Sequence, residues 1–322
     1  MGAGASDLAR LVEAELGRPA PAEATLLAGE IQRRWGAAVA AVLFYGSCLR
    51  RGSPEGVLDF YALVDSYERA YRSRALARAN AWLPPNVFYL EGAGPAGVLR
   101  CKVAVMSLED FERAASPRAL RSSVWARFCQ PALRVAARDE DASRLCVRAC
   151  TAAVLTAFER LLPLVPGSDG SRPFRAEEFW QLAFRETYGN EMRPETDATI
   201  GSLYEAAPER YARAARGALA ELEERGLLDL ERRGGETFVR LPAERRRSGA
   251  RSWRRRRRLS KLVYAAGLVK SAFTFGDWLP YALWKLERHS GARIVPSPRQ
   301  RQHPLLFGWP VLLRLLWRRQ FR

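Results

Sequence analysis

A strand that ends in a small-residue turn can hold a phosphate, and the run AAVAAVLFYGS (37–47) ends on Gly46 and Ser47. The glycine lets backbone approach a ligand closely, and the serine adds an amide and a hydroxyl. Twelve positions after Ser47, Asp59 stands inside a second apolar run, VLDFYALVD (57–65), where a carboxylate could hold Mg2+ against phosphate oxygens. The chain carries 48 Arg and four Lys, and Lys102 is the one lysine in the first 260 residues, inside VLRCKVAVMS (98–107). Lysine is a compact point charge suited to a phosphate oxygen, where a guanidinium fork is bulkier. Gly46, Ser47, Asp59 and Lys102 are therefore candidates for a phosphate-handling site. The plainer readings are a chance Gly-Ser turn and a solvent-facing strand lysine.

The elements that must position these residues alternate. SDLARLVEAEL (6–16) reads as a capped helix, and a second helix over about 22–34 leads into the first strand. The strand at 57–65 is followed by a helix at about 68–82, the strand NVFYLE (86–91), a Gly-rich turn and the strand at 98–107. Such alternation predicts an α/β core with a mixed sheet. Helices are expected near 108–129, 139–162, 175–187 and 203–225, with loop chemistry at 163–174. LLDLERRGGETFVRL (227–241) has two strand-like runs around Gly234-Gly235, the shape of a hairpin wing.

The spacing of Gly46, Ser47 and Asp59 resembles the signature of polymerase-β-like nucleotidyltransferases, with one departure. The second acid usual two residues after the first is Tyr61. Asp65 shares the parity of Asp59, but six strand residues separate them by about 20 Å. Asp65 reads better as a helix cap.

Charge is distributed unevenly. The chain of 322 residues has a net charge of +17, yet residues 1–244 hold 32 bases and 33 acids. Residues 245–322 hold 20 bases and two acids, Asp277 and Glu287. An anionic partner, nucleic acid or a membrane surface, is the expectation for this segment. A solubilising, Arg-rich tail is the blander reading. Five of the nine Trp fall in it, and it ends HPLLFGWPVLLRLLWRRQFR (303–322). Arg beside Trp and Leu favours the lipid–water interface. The apolar run from Pro304 to Trp317 is only 14 residues, short of the roughly 20 needed to span a bilayer. Five cysteines without a CxxC pair, and two distant His, make zinc sites and a disulfide framework unexpected. A reducing cytosol fits, and no secretion signal is read at the N-terminus.

Several colinear segments together resemble the translocator-assembly-and-maintenance type of phosphatidate cytidylyltransferase (CDP-diacylglycerol synthase) and its bacterial relatives. They are YGSCLR (45–50), VLDFYALVD (57–65), VFY (87–89), RCKVAVMS (100–107), ARFCQP (126–131), AAVLTAFERLLP (152–163), YGNEMRPE (188–195) and RLSKLVYAAGLVKSAF (258–273). The resemblance implies an α/β nucleotidyltransferase domain with a mixed sheet over 1–165. A helical, winged-helix-like domain over 166–244 and a basic, aromatic, amphipathic helical membrane-binding segment over 245–322 would follow. It implies an aromatic or apolar residue where Tyr61 stands. Carried over, Gly46 and Ser47 would cradle CTP, Asp59 would ligate Mg2+, and Lys102 would contact phosphate. Glu191 would be the second carboxylate, ranked above Glu91, while Tyr188 and Arg193 would line the cleft. Arg127 and Arg193 could hold the phosphatidic acid head group. The expected product is CDP-diacylglycerol with pyrophosphate, made by a cytoplasmic protein peripheral on the inner face of the cell membrane, without a nucleic acid partner. The alternatives are a nucleotidyltransferase on another acceptor and a non-catalytic nucleic-acid-binding protein with a basic tail.

Overall fold

A computed structural model describes residues 6–95, 97–190 and 197–274. In chain order they form α1 (Asp7–Leu16), α2 (Ala22–Trp35), β1 (Val39–Tyr45), α3 (Ser47–Arg51), β2 (Leu58–Val64), α4 (Tyr67–Ala70) and α5 (Arg74–Trp82). Next come β3 (Asn86–Gly94), β4 (Gly97–Ser107), α6 (Leu108–Ala115), α7 (Trp125–Phe128), β5 (Ala132–Ala137) and α8 (Glu140–Leu161). The remainder is β6 (Asp169–Pro173), α9 (Ala176–Asn190), α10 (Asp197–Glu205), α11 (Pro208–Glu224), β7 (Asp229–Arg233), β8 (Glu236–Arg240) and α12 (Ala243–Thr274).

The chain is an α/β protein. Its main sheet has five strands in the order β3-β4-β2-β1-β5, mixed because β2 and β4 run parallel while the other pairs are antiparallel. Helices cover both faces over β1, Phe60–Val64 of β2 and Val103–Met106 of β4, which is why those stretches read as continuous apolar runs. On one face Leu27, Ile31 and Trp35 of α2 belong to one apolar cluster with Val42, Phe44, Phe60 and Val103. On the other face Leu43, Tyr61, Leu63 and Met106 share a cluster with Phe111, Phe128, Val154 and Phe158. A smaller sheet, β6-β8-β7, packs beyond α8.

The expected helices break where capping chemistry demands it. The helix expected at 68–82 is two, because the Ser73 side chain accepts from the Leu76 amide and starts α5 anew. The helix expected at 108–129 stops at Ala115, and a strand not foreseen, β5, follows α7. Pro208 opens α11 at its first position, separating it from α10. The stretch 163–174 is not simply loop, since it contains β6. The apolar cluster continues past it, with Phe158 of α8 stacked on Phe179 of α9 at 3.8 Å.

α12 lies on the body along one side. Trp253 and Ser260 are buried, and the Trp253 indole Nε1 donates to Glu186 Oε2 of α9 at 2.6 Å. Further along, the Lys270 ammonium donates to the carbonyls of Leu83 and Pro85 (2.8 Å for the latter). Gly249 lets the helix come close, because a Cβ there would stand 2.6 Å from the Pro163 ring. Residues 275–322, including the Leu/Trp-rich run, lie outside the described residues.

Candidate functional site

The site grows from the end of β1. Gly46 has φ +92°, a conformation that side chains rarely adopt, and a Cβ there would sit 2.9 Å from Asp59 Oδ2. Glycine is therefore required twice over: by the backbone angle, and by the carboxylate packed against it. The antiparallel register explains the approach, since Tyr45 pairs with Asp59. Ser47 opens the short helix α3, and Arg50 at its far end donates to Gln130 Oε1 at 3.3 Å.

Register then carries the site across the sheet. Asp59 of β2 pairs with Lys102 of β4, and Lys102 pairs with Tyr89 of β3. Paired residues of neighbouring strands share a face about 4.8 Å apart. Asp59, Lys102 and Tyr89 therefore form a row on the face that also carries Tyr61. All three half-line that end of the sheet, with Asp59 and Lys102 half-buried and Tyr89 buried. The Tyr89 hydroxyl donates to Glu91 Oε1 at 2.8 Å, and Glu91 meets Arg100 at 3.3 Å. Burial first, and then Glu91, hold the Tyr89 phenol above its usual range, so it stays protonated. The Asp59 charge is felt on both flanking thiols. Burial pushes Cys101 up to about 12, with Asp59 adding to the shift; Cys48 is also raised, chiefly by burial.

Tyr61, where a second acid was wanting, is a packing residue. It is 2% exposed, and its ring lies 5.5 Å from Tyr45, 5.8 Å from Phe111 and 5.1 Å from Phe128. A carboxylate there would be desolvated among aromatic rings rather than facing a metal. Asp65 is not the helix cap. Ser66 caps α4 by accepting from the Arg69 amide, while Asp65 Oδ2 accepts from Arg69 at 2.9 Å and Arg138 at 2.7 Å.

Among the described residues no group of three His, Cys, Asp or Glu side chains converges as a metal site. Mg2+ commonly keeps several waters and takes one or two carboxylates plus substrate phosphates. Asp59, a half-buried carboxylate seated on a glycine turn, fits such a partial donor set. Glu191 and Arg193 lie outside the described residues. Tyr188 is half-buried near the end of α9. Arg127, on α7, directs its guanidinium to the Ser123 carbonyl, and its neighbour Phe128 packs on Tyr45 and Tyr61.

Tyr89 and Arg100, which had no sequence signal of their own, join the row through register alone, beside the already named Glu91. Counting back along both strands from the Gly94–Gly97 turn pairs Tyr89 with Lys102, so the Gly-rich turn was the signal that could have found them. Glu186, which anchors Trp253 and meets Arg257 at 3.3 Å, had no sequence signal.

No protein-family model matches the chain, and no curated protein matches it.

Proposed function

We propose that the chain is a Mg2+-dependent phosphatidate cytidylyltransferase, transferring CMP from CTP to phosphatidic acid to give CDP-diacylglycerol and pyrophosphate. One observation carries this reading: the Asp59 carboxylate rests against the Gly46 turn, with Lys102 beside it in register. In this reading the five-stranded sheet is a polymerase-β-like fold, and the unit of α9–α11 with β6–β8 is winged-helix-like. A phosphate oxygen of the lipid attacks the α-phosphorus of CTP, and the bond to the β-phosphate oxygen breaks. The nucleophile is already ionised, so placement and charge neutralisation matter more than a strong base. Bound Mg2+ supplies neutralisation of the triphosphate, and Asp59 is the residue that would hold it. Lys102 offers its ammonium to a phosphate oxygen, while Gly46 and Ser47 offer backbone and hydroxyl contacts.

The geometry of α12 supports a lipid acceptor. Helical spacing sets Arg247, Arg251, Arg254, Arg255 and Arg258 on one exposed face. Along the same side follow Leu259, 42% exposed, and Leu262, 70% exposed. Cations beside exposed leucines suit an anionic bilayer surface better than nucleic acid. Among the described residues no helix is long and apolar enough to cross a membrane.

The test is a product assay with each of the four nucleoside triphosphates, phosphatidic acid and Mg2+. CTP alone should give the lipid product with pyrophosphate. Asp59→Asn should abolish product at unchanged thermal midpoint. Equal turnover by that variant, or product only with a soluble acceptor, rejects the proposal.

A further inference from the structure

A second site lies away from the row on the sheet. Where α8, α11 and α12 meet, a cleft of about 280 Å3 opens, and its lining includes none of Gly46, Ser47, Asp59 or Lys102. Two arginines converge in it. Arg160, at the end of α8, donates to the carbonyls of Pro117 and Ala119 (2.7 Å for the latter). Arg256, from α12, donates to the same Ala119 carbonyl at 3.1 Å. Two guanidinium groups thus share one neutral acceptor. The acid nearest in sequence that lines the cleft is Glu159, and no ion pair joins it to either arginine among the described residues. The pairing is electrostatically strained: burial, and then the charge of Arg256, lower Arg160 to about 10. The Arg160 Nε is also buried without a hydrogen-bond partner. Like charges held together in a partly buried place gain most from an anion between them.

Much of the remaining lining is apolar, and Pro117 and Leu227 are the half-buried members of it. The rim on α12 carries Arg245, Ser248 and Ser252. A ligand that satisfies both the arginines and the apolar lining has an anionic head and a hydrocarbon body. At about 280 Å3 the volume falls just below that of most ligand cavities, which run about 300–1,000 Å3. It suits a head group and a single short chain rather than a diacyl lipid.

We propose that this cleft binds a single-chain anionic amphiphile, its phosphate or carboxylate head bridging Arg160 and Arg256 and its chain lying along the apolar lining at Pro117 and Leu227. The site is independent of the transferase reading, since it shares no residue with it.

The probe is dodecyl phosphate below its critical micelle concentration, titrated calorimetrically into the full chain. Binding at one site per chain is expected, at least tenfold tighter than for inorganic phosphate or for uncharged dodecyl maltoside. Arg256→Gln should weaken it at least tenfold, and Ser248→Trp, which fills the cleft and leaves every cation in place, should abolish it. The double variant Arg254→Gln/Arg255→Gln, on the exposed face of the same helix, should bind within twofold of the parent. Equal losses from the exposed-face and cleft variants would mean general adsorption to cationic surface and would overturn the proposal. So would undiminished binding by Ser248→Trp, or no binding by the full chain. Should one cleft variant fail to fold, judged by its far-ultraviolet dichroism, the other decides, because they act by different routes.

Discussion

At the scale of single residues, Tyr61 and Asp59 are a contrasting pair on one strand face. Asp59 lies at the strand's entrance, half-buried against a glycine, while Tyr61 is two residues deeper and 2% exposed within a ring cluster. Restoring the acid usual in the wider signature should therefore harm the protein rather than improve it. Tyr61→Asp removes a large packed ring and buries a carboxylate, so a loss of at least about 3 kcal/mol in urea unfolding is expected. Tyr61→Phe, which keeps the ring, should stay within about 1 kcal/mol of the parent. The residue types were legible without the fold. Gly46, Ser47, Asp59 and Lys102 stand out because each is a small or charged residue inside or ending an apolar run. Tyr89 and Arg100 did not, since nothing in an aromatic or an arginine of a strand reveals which residue faces it across the ladder.

At the scale of elements, the docking of α12 depends on a few polar contacts with distant chain segments. Lys270 is held near carbonyl oxygens of the α5–β3 connection, and burial, then Arg121, lower its pKa to about 8 from an unfolded value near 10.5. Between these values the unfolded chain binds more protons than the folded one, so the Lys270 contribution to stability rises with pH. Comparing the parent with Lys270→Met removes the common background. The difference in urea midpoint, parent minus variant, should increase from pH 7.5 to pH 10 and be flat below pH 7. A difference that falls over that interval would refute the assignment. Element legibility followed burial. β1, the Phe60–Val64 part of β2 and the Val103–Met106 part of β4 were readable because both their faces are covered, giving unbroken apolar runs. β5, ALRVAA, was not, because Arg134 interrupts it and its later residues are only half-buried. The links from α12 to Glu186 and Leu83 were invisible, as they join residues 67 and 187 positions apart.

At the scale of the whole molecule, two features govern stability and partners. Glu15 of α1 and Arg210 of α11 form a buried ion pair at 2.7 Å, and Arg210 also donates to the Cys129 carbonyl at 2.6 Å. Their side chains are 8% and 11% exposed, so removing one partner leaves an uncompensated charge. Glu15→Ala should cost about 3–5 kcal/mol in chemical denaturation. The second feature is charge: a body with a net of −1 joined to a segment with a net of +18. Flotation with vesicles rich in anionic lipid should be strong at 50 mM salt and fall severalfold by 500 mM, as screening shortens the reach of the arginines. Unchanged flotation would assign the attraction to apolar insertion alone. The charge imbalance was plain in the sequence, whereas the Glu15–Arg210 pair joins two helices that neither spacing nor composition connects.

The bare backbone at Gly249 has a consequence for how this chain can vary among descendants. The arginines on the outer side of α12 are interchangeable in charge and can drift in position with little penalty. Position 249 has no such freedom, because any methyl group there collides with the ring of Pro163. Lineages should therefore show a shifting pattern of basic residues around a fixed glycine, and where that glycine is lost, the proline opposite it should have changed in the same branch.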